Sequence, residues 1–320
     1  MTFAGSPERA EARLVPEAGF ELDTFRVSGL PRRPGAALAR ALWADLRAPF
    51  VCDRILARRR PDVVLGAGGY VGGPIAVAAA RRRIPVALTE ADAHLGLANR
   101  LAAPLAHRIF LSFPIPGCDP PKYRVTGRPI PVRSRAVPQE AARRLFELPD
   151  DGPVLLVAGG SLGARSLNDL VIESFGAAGP VVLHLCGERE YARLRDRVSR
   201  PDYRLLPFTD EYGAALGASD LALSRAGGGV WELAAAGKPA ILVPYPFATA
   251  DHQTRNARYF QTAGGAILVP ETELGRVPEL VRSLLGDRRR RGEMRRAMLG
   301  VARPDAAREI AEEVLRLAAP

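Results

Sequence analysis

The sequence predicts an α/β chain made of two doubly wound domains, each a parallel sheet covered by helices on both faces. Length is the first reason, because 320 residues exceed what one hydrophobic core usually organises. The second is alternation: short β-branched runs are separated by longer Ala/Leu/Arg segments of helical period. A third is that several of these runs end in glycine-rich turns, as at 66–73, 159–163 and 227–229. Apolar residues at 47% and charged residues at 25% are ordinary globular proportions that exclude a disordered, collagenous or coiled-coil chain. Two domains of this kind imply a cleft between them.

Residues 2–4 read as a stub of strand, followed at once by Ser6-Pro7-Glu8 and a helix. A doubly wound domain usually opens with a buried strand running into a glycine turn, so an opening βα unit is expected to be missing. Residues 36–60 (AALARALWADLRAPFVCDRILARRR) set Leu42, Trp43, Leu46 and Phe50 among many arginines. Such a segment either packs an apolar stripe into the core or sits on an anionic membrane surface. Strands are predicted at 62–65, 85–88, 108–111 and 123–126, with helices at 73–82 and 96–106. Pro129, Pro131, Pro138 and Pro149 then interrupt periodicity, and Asp150-Asp151-Gly152 makes a turn. Domains are accordingly expected at 1–140 and 141–320. Strands at 153–158 (PVLLVA), 181–185, 203–206, 221–224 and 240–243 repeat the pattern in the second half, and an amphipathic helix at about 304–318 closes the chain.

The formal net charge is +10, and Lys122 and Lys238 are the only lysines, so the excess is arginine. That balance favours a nucleic acid, an acidic membrane surface or a phosphorylated small molecule. No recognition motif for nucleic acid accompanies the arginines. No run of 18 apolar residues is present, so no bilayer-spanning helix is predicted. Cys52, Cys118 and Cys186 are odd in number and widely spaced, which fits reduced thiols in a cytoplasm better than disulfides or zinc; no metal site is expected.

Gly159-Gly160-Ser161-Leu162-Gly163-Ala164 follows the strand PVLLVA and precedes a helix, so its backbone N–H groups suit a diphosphate, although a tight βα turn needs glycine too. Ser224-Arg225-Ala226-Gly227-Gly228-Gly229 repeats that arrangement, and Glu232, a turn into the helix, suits either a ribose diol or the helix dipole. Asp251-His252-Gln253 lies on a loop at the carboxyl end of a strand, where open α/β sheets bind ligands; His252 suits a helix cap or a base. In the first half, Gly68-Gly69-Tyr70 follows DVVL. Glu90, Asp92 and His94 follow PVAL as candidate acid/base groups or solvated loop charges.

In order, LGAGGYVGGP, TEADAHLGLANRLA, VTGRPI, VAGGSLGARSLN, SRAGGGVWELAAAGKPAILVPYP, DHQTRNA and PDAAREIA resemble motifs of the MurG family, the transferases that move GlcNAc from UDP-GlcNAc to lipid I and give lipid II. The resemblance implies a GT-B architecture with the donor in the second half and an undecaprenyl-linked acceptor in the first. It assigns the donor to Gly160, Ser161, Gly163, Phe208, Thr209, Arg225, Glu232 and Gln253. Gly68, Gly69, Tyr70, Glu90 and Asn99 match the acceptor side, and Leu42, Trp43, Leu46 and Phe50 the membrane patch. It implies no cofactor beyond UDP-GlcNAc, no nucleic acid, and a peripheral place on the cytoplasmic face of the bacterial plasma membrane, whose anionic inner surface is the partner. Thr89, Arg128, Pro131 and Leu162 depart from the family pattern, and the family's opening strand with its G-G-T-G-G-H loop has no counterpart here. The alternatives are a GT-B transferase acting on another lipid, such as diacylglycerol, or a chain that binds UDP-GlcNAc without turnover.

Overall fold

A computed structural model describes residues 1–27, 36–160 and 163–319, the side chains of 36–46, 69 and 70 excepted. The chain divides into two units, Met1–Thr126 with Arg308–Pro320, and Gly127–Ala307.

In the first unit, β1 (Phe3–Gly5), α1 (Glu11–Glu17) and β2 (Leu22–Thr24) form a small parallel βαβ unit. The Glu11 carboxylate accepts from the Ser6 amide at 3.0 Å and so ties the start of α1 to the end of β1. Asp23 on β2 accepts from Arg59 Nε at 2.7 Å and from Arg58 at 2.5 Å, both near the end of α2 (Ala36–Arg59). Those bonds, Arg59 foremost, hold the Asp23 carboxyl below its usual range against the cost of burial. Next come β3 (Val64–Gly66), α3 (Gly69–Arg81), β4 (Val86–Glu90), α4 (Leu97–Ala102), β5 (Arg108–Leu111) and β6 (Tyr123–Val125). The four strands pair in parallel in chain order. Leu88, Ile109 and Leu111 of the sheet share a core with Ile55, Leu56 and Ala76 of α2 and α3.

The second unit holds α5 (Gln139–Leu145), β7 (Val154–Ala158), α6 (Arg165–Phe175), β8 (Val181–Leu185), α7 (Glu188–Leu194), β9 (Tyr203–Leu206), α8 (Tyr212–Ala218) and β10 (Leu221–Ser224). After these come α9 (Val230–Ala235), β11 (Ala240–Leu242), α10 (His252–Thr262), β12 (Ala266–Leu268), α11 (Val277–Gly286) and α12 (Arg288–Val301). Its sheet is parallel with the order β12-β11-β10-β7-β8-β9. Winding therefore reverses between β7 and β10, and a doubly wound sheet binds ligands at the carboxyl ends of the strands at such a point. Every residue of β7 is buried, which is why its sequence reads as an unbroken apolar run.

The division differs from the sequence expectation of 1–140 and 141–320 in two respects. The proline-rich stretch after Thr126 packs onto α8, where a Cβ on Gly213 would stand 2.1 Å from the Arg135 carbonyl, so it belongs to the second unit. The closing helix, α13 (Ala306–Ala318), returns to the first unit: Ile310 packs on Ala87 and Phe110, and the Glu313 carboxylate pairs with Arg124 and Arg108.

Candidate functional site

At the reversal point the two central strands are tied together, because Ser224 Oγ at the end of β10 donates to the Ala158 carbonyl at the end of β7 at 2.8 Å. The chain then turns at Gly159, where a Cβ would meet the Ala164 nitrogen at 2.6 Å, and at Gly163, with φ +79°, where it would meet the Cys186 carbonyl oxygen at 2.2 Å. Those two glycines are demanded by the fold itself. Gly160 is different: its φ is +95° and, among the described residues, a Cβ there would meet nothing within 4 Å, so its bare backbone is open on that side ahead of the eleven-residue α6. Orphan N–H groups at that helix start favour an anion.

A cavity of about 870 Å³ opens at this point, and Gly160, Gly163, Phe208, Thr209, Arg225, Glu232 and Gln253 all line it. Ser161, the remaining donor residue named from sequence, lies outside the described residues. Phe208 follows β9 and is exposed, and the Thr209 hydroxyl accepts from the Glu211 amide at 3.0 Å. Glu232 is in the first turn of α9, directly after the Gly227–Gly229 bend. Gln253 Oε1 accepts from the Tyr245 amide at 2.9 Å, which leaves its Nε2 beside Gly227, 4.0 Å from a Cβ built there. His252 Nδ1 bonds the Thr249 carbonyl at 2.9 Å, the capping arrangement of a first helical residue.

Arg225 organises the wall. Its guanidinium donates to Ser166 Oγ at 2.9 Å and to the carbonyls of Val243 and Pro244 at 3.2 Å, pairs with Glu271, and lies 5.7 Å from the Tyr245 ring centroid. Burial works against the Glu271 carboxylate, yet hydrogen bonds from Arg225 and Ser166 hold its pKa below the usual value. Glu271 and Ser166 were not read as site residues: Ser166 stands in the VAGGSLGARSLN motif without being singled out, and Glu271 stands in no motif and reaches Arg225 only through the sheet topology. Tyr245 and Phe247 at the cavity wall pack edge to face at 5.6 Å, with Phe247 80% exposed. Among the described residues, no group of three or more His, Cys, Asp or Glu is placed to hold a metal ion.

In the first unit, Gly68, Glu90 and Asn99 come together beyond the carboxyl ends of β3 and β4. Asn99 Nδ2 donates to the Thr89 carbonyl and to Glu90 Oε2, each at 2.9 Å, and lies 3.9 Å from a Cβ built on Gly68. Glu90 also accepts from the amides of Gly96 at 2.8 Å and Asp92 at 3.3 Å. Its carboxylate is thus engaged in ordering the 91–96 loop, on which Asp92 and His94 stand half-buried. Gly69 opens α3, and the Tyr70 side chain lies outside the described residues, as do those of Leu42, Trp43 and Leu46. Phe50 is 60% exposed, with Arg81 5.6 Å above its ring. Leu97 and Leu101, one turn apart on α4, are also exposed, a pair the sequence reading passed over. Among the described residues no helix is long and apolar enough to cross a membrane.

The profile of the Glycosyltransferase family 28 N-terminal domain matches residues 2–111, and that of the C-terminal domain matches 154–310. The chain is also 40% identical to the UDP-N-acetylglucosamine–N-acetylmuramyl-(pentapeptide) pyrophosphoryl-undecaprenol N-acetylglucosamine transferase of Salinibacter ruber, over 99% of this chain and 88% of the relative. The chain belongs to glycosyltransferase family 28. Within that family it falls in the MurG group: it is similar to the crystal structure of Acinetobacter baumannii MurG, with a TM-score of 0.77 and 26% identity over 98% of this chain and 90% of that one. The structure of CalG4, the calicheamicin glycosyltransferase, shares the fold at a TM-score of 0.70, 18% identity, and coverage of 100% and 91%. The architecture is GT-B, with a Rossmann-like sheet in each unit. In a glycosyltransferase of this family, a cavity where the winding of the second sheet reverses is where a nucleotide sugar is expected.

Proposed function

We propose that the chain transfers GlcNAc from UDP-GlcNAc to the muramoyl 4-hydroxyl of undecaprenyl-linked lipid I, giving lipid II and UDP. The reading is carried by one observation: an open glycine turn, an exposed aromatic, a helix-borne carboxylate and a side-chain amide share one cavity at Gly160, Phe208, Glu232 and Gln253. These groups match the parts of the donor. The diphosphate takes the N–H groups at Gly160 and the start of α6, the uracil lies by Phe208 and Thr209, the ribose diol donates to Glu232, and the GlcNAc hydroxyls meet Gln253. Arg225, held by Glu271, keeps the wall in shape and adds positive potential.

The acceptor oxygen attacks the anomeric carbon from the face opposite the diphosphate, the bond to the β-phosphate oxygen breaks, and the anomeric configuration inverts. Negative charge grows on the departing UDP, and pre-oriented N–H groups and the α6 dipole stabilise it there; losing one such donor typically costs on the order of 10²-fold in rate. The hydroxyl proton leaves to a general base, for which Glu90, Asp92 and His94 are the candidates the sequence offers. UDP-GlcNAc supplies the leaving group, so the reaction as proposed needs no further cofactor. Exposed Phe50, Leu97 and Leu101, with Arg81 at hand, support docking on the anionic cytoplasmic face of the plasma membrane, where a lipid-linked acceptor is presented.

Vesicles carrying either lipid I or diacylglycerol, supplied with radiolabelled UDP-GlcNAc, test the acceptor. Label should enter the lipid I vesicles alone; label in diacylglycerol instead would overturn the assignment.

A further inference from the structure

The second unit carries another cavity, of about 670 Å³, at the amino ends of strands β10 and β11 of the same sheet. It is lined by Asp220, which immediately precedes β10, and by Lys238, just ahead of β11, whereas the donor cavity touches the far end of β10 at Ser224. Arg288, Arg291 and Arg295 of α12 complete its polar wall. A volume of this size accommodates a small metabolite.

Its charges do not balance. Lys238 is only 6% exposed, and among the described residues its ammonium uses one of three N–H donors, toward the Ser219 carbonyl at 2.7 Å. Asp220 is the one carboxylate among the lining residues, and it is already matched by Arg143 at 3.0 Å and by the Val154 amide at 2.9 Å. Arg291 spends one nitrogen on the Leu284 carbonyl at 2.7 Å, closing the end of α11. Arg288 and Arg295 have no hydrogen bond or ion pair among the described residues. The start of α12 is not the attraction, since the Asp287 side chain already accepts from the Arg290 amide at 2.8 Å. Burial, helped by Arg295 and Arg143, pushes the Lys238 ammonium down to about 8 against the opposing pull of the Asp220 carboxylate, which Arg143 already shares, so a further anion would relieve the cost of the buried cation.

We propose that this cavity binds a phosphate-bearing ligand, a phosphate monoester or diphosphate, with Lys238 at its floor and Arg288, Arg291 and Arg295 around it. A merely solvated arginine helix would place no buried lysine beneath it. The site is separate from the donor cavity, so it serves a second phosphorylated molecule rather than the nucleotide sugar.

Calorimetric titration of the full chain with inorganic pyrophosphate, with the donor cavity occupied by excess UDP, reads this site directly. The parent protein should show saturable binding, weakened at least about tenfold in the variant Arg288→Gln/Arg295→Gln, whose altered residues are exposed and make no hydrogen bond or ion pair among the described residues. UDP binding should be the same in both proteins. Vesicles containing phosphatidic acid, added as competitor, assign the phosphate to a lipid headgroup if they displace pyrophosphate and to a soluble molecule if they do not; both results uphold the site. No saturable binding beside UDP, or equal binding by the two proteins, overturns it.

Discussion

Gly163 and Cys186 pack so closely that a Cβ on the first would lie 2.2 Å from the carbonyl oxygen of the second. Asn168 of α6 donates to that same carbonyl at 2.9 Å, and its Oδ1 meets His184 Nε2 at 2.9 Å, with Tyr203 beyond at 2.7 Å. A buried polar chain thus fixes the loop that shapes the donor cavity. Gly163→Ala adds a backbone clash to a left-handed φ and should cost about 2 kcal/mol or more, lowering the melting temperature by roughly 5 °C. Gly160→Ala carries the strain of its left-handed φ without a clash among the described residues, so it should melt nearer the parent than Gly163→Ala does, yet bind UDP more weakly. Thermal melts and calorimetry on the two variants separate these effects.

The same chain makes the second unit sensitive to acid. Burial pushes the His184 imidazole down to about 3 from an ordinary 6.5. The unfolded chain therefore takes up a proton below pH 6.5 that the folded chain refuses. Stability from this group is complete above 6.5 and falls by about 1.4 kcal/mol per pH unit toward 3. Urea unfolding between pH 6.5 and 5 should show this extra slope in the parent and not in His184→Gln. Equal slopes would mean that His184 accepts its proton while folded.

Glu232 separates a ribose contact from a helix-dipole role. Glu232→Gln should weaken UDP binding about tenfold, the worth of a hydrogen bond to a charged group. It should also abolish the preference of the parent for UDP over 2′-deoxy-UDP. A carboxylate that only offsets the α9 dipole would leave that preference intact.

On the first unit, replacing exposed Phe50 or Leu101 by Glu removes apolar surface worth roughly 1.5–3 kcal/mol when buried in lipid. Binding to anionic vesicles should drop about tenfold or more for each, with UDP affinity unchanged. Unaltered vesicle binding by both variants would move the membrane contact elsewhere.

Much of this architecture was legible in the sequence because long apolar strands such as β7 and glycine turns carry strong local signals. Residues 22–24 and 266–268, which form β2 and β12, were passed over because three-residue strands have too few positions to show a period. Prolines after Thr126 break periodicity without saying which neighbour the segment packs on, and the amphipathic tail helix gives no hint that its apolar face belongs to the first unit. Within the site, glycine was ambiguous by nature. Gly159 and Gly163 are required by packing and Gly160 is open, a difference that appears only once Ala164 and Cys186 are placed around them. Glu271 was invisible for a related reason, since its partner Arg225 lies on another strand's loop.

The central claim is GlcNAc transfer to lipid I, and mass spectrometry of the lipid after incubation with UDP-GlcNAc measures it most directly. The account predicts a lipid heavier by one GlcNAc residue, with one UDP released per product. Unchanged lipid I beside intact or merely hydrolysed donor would contradict it.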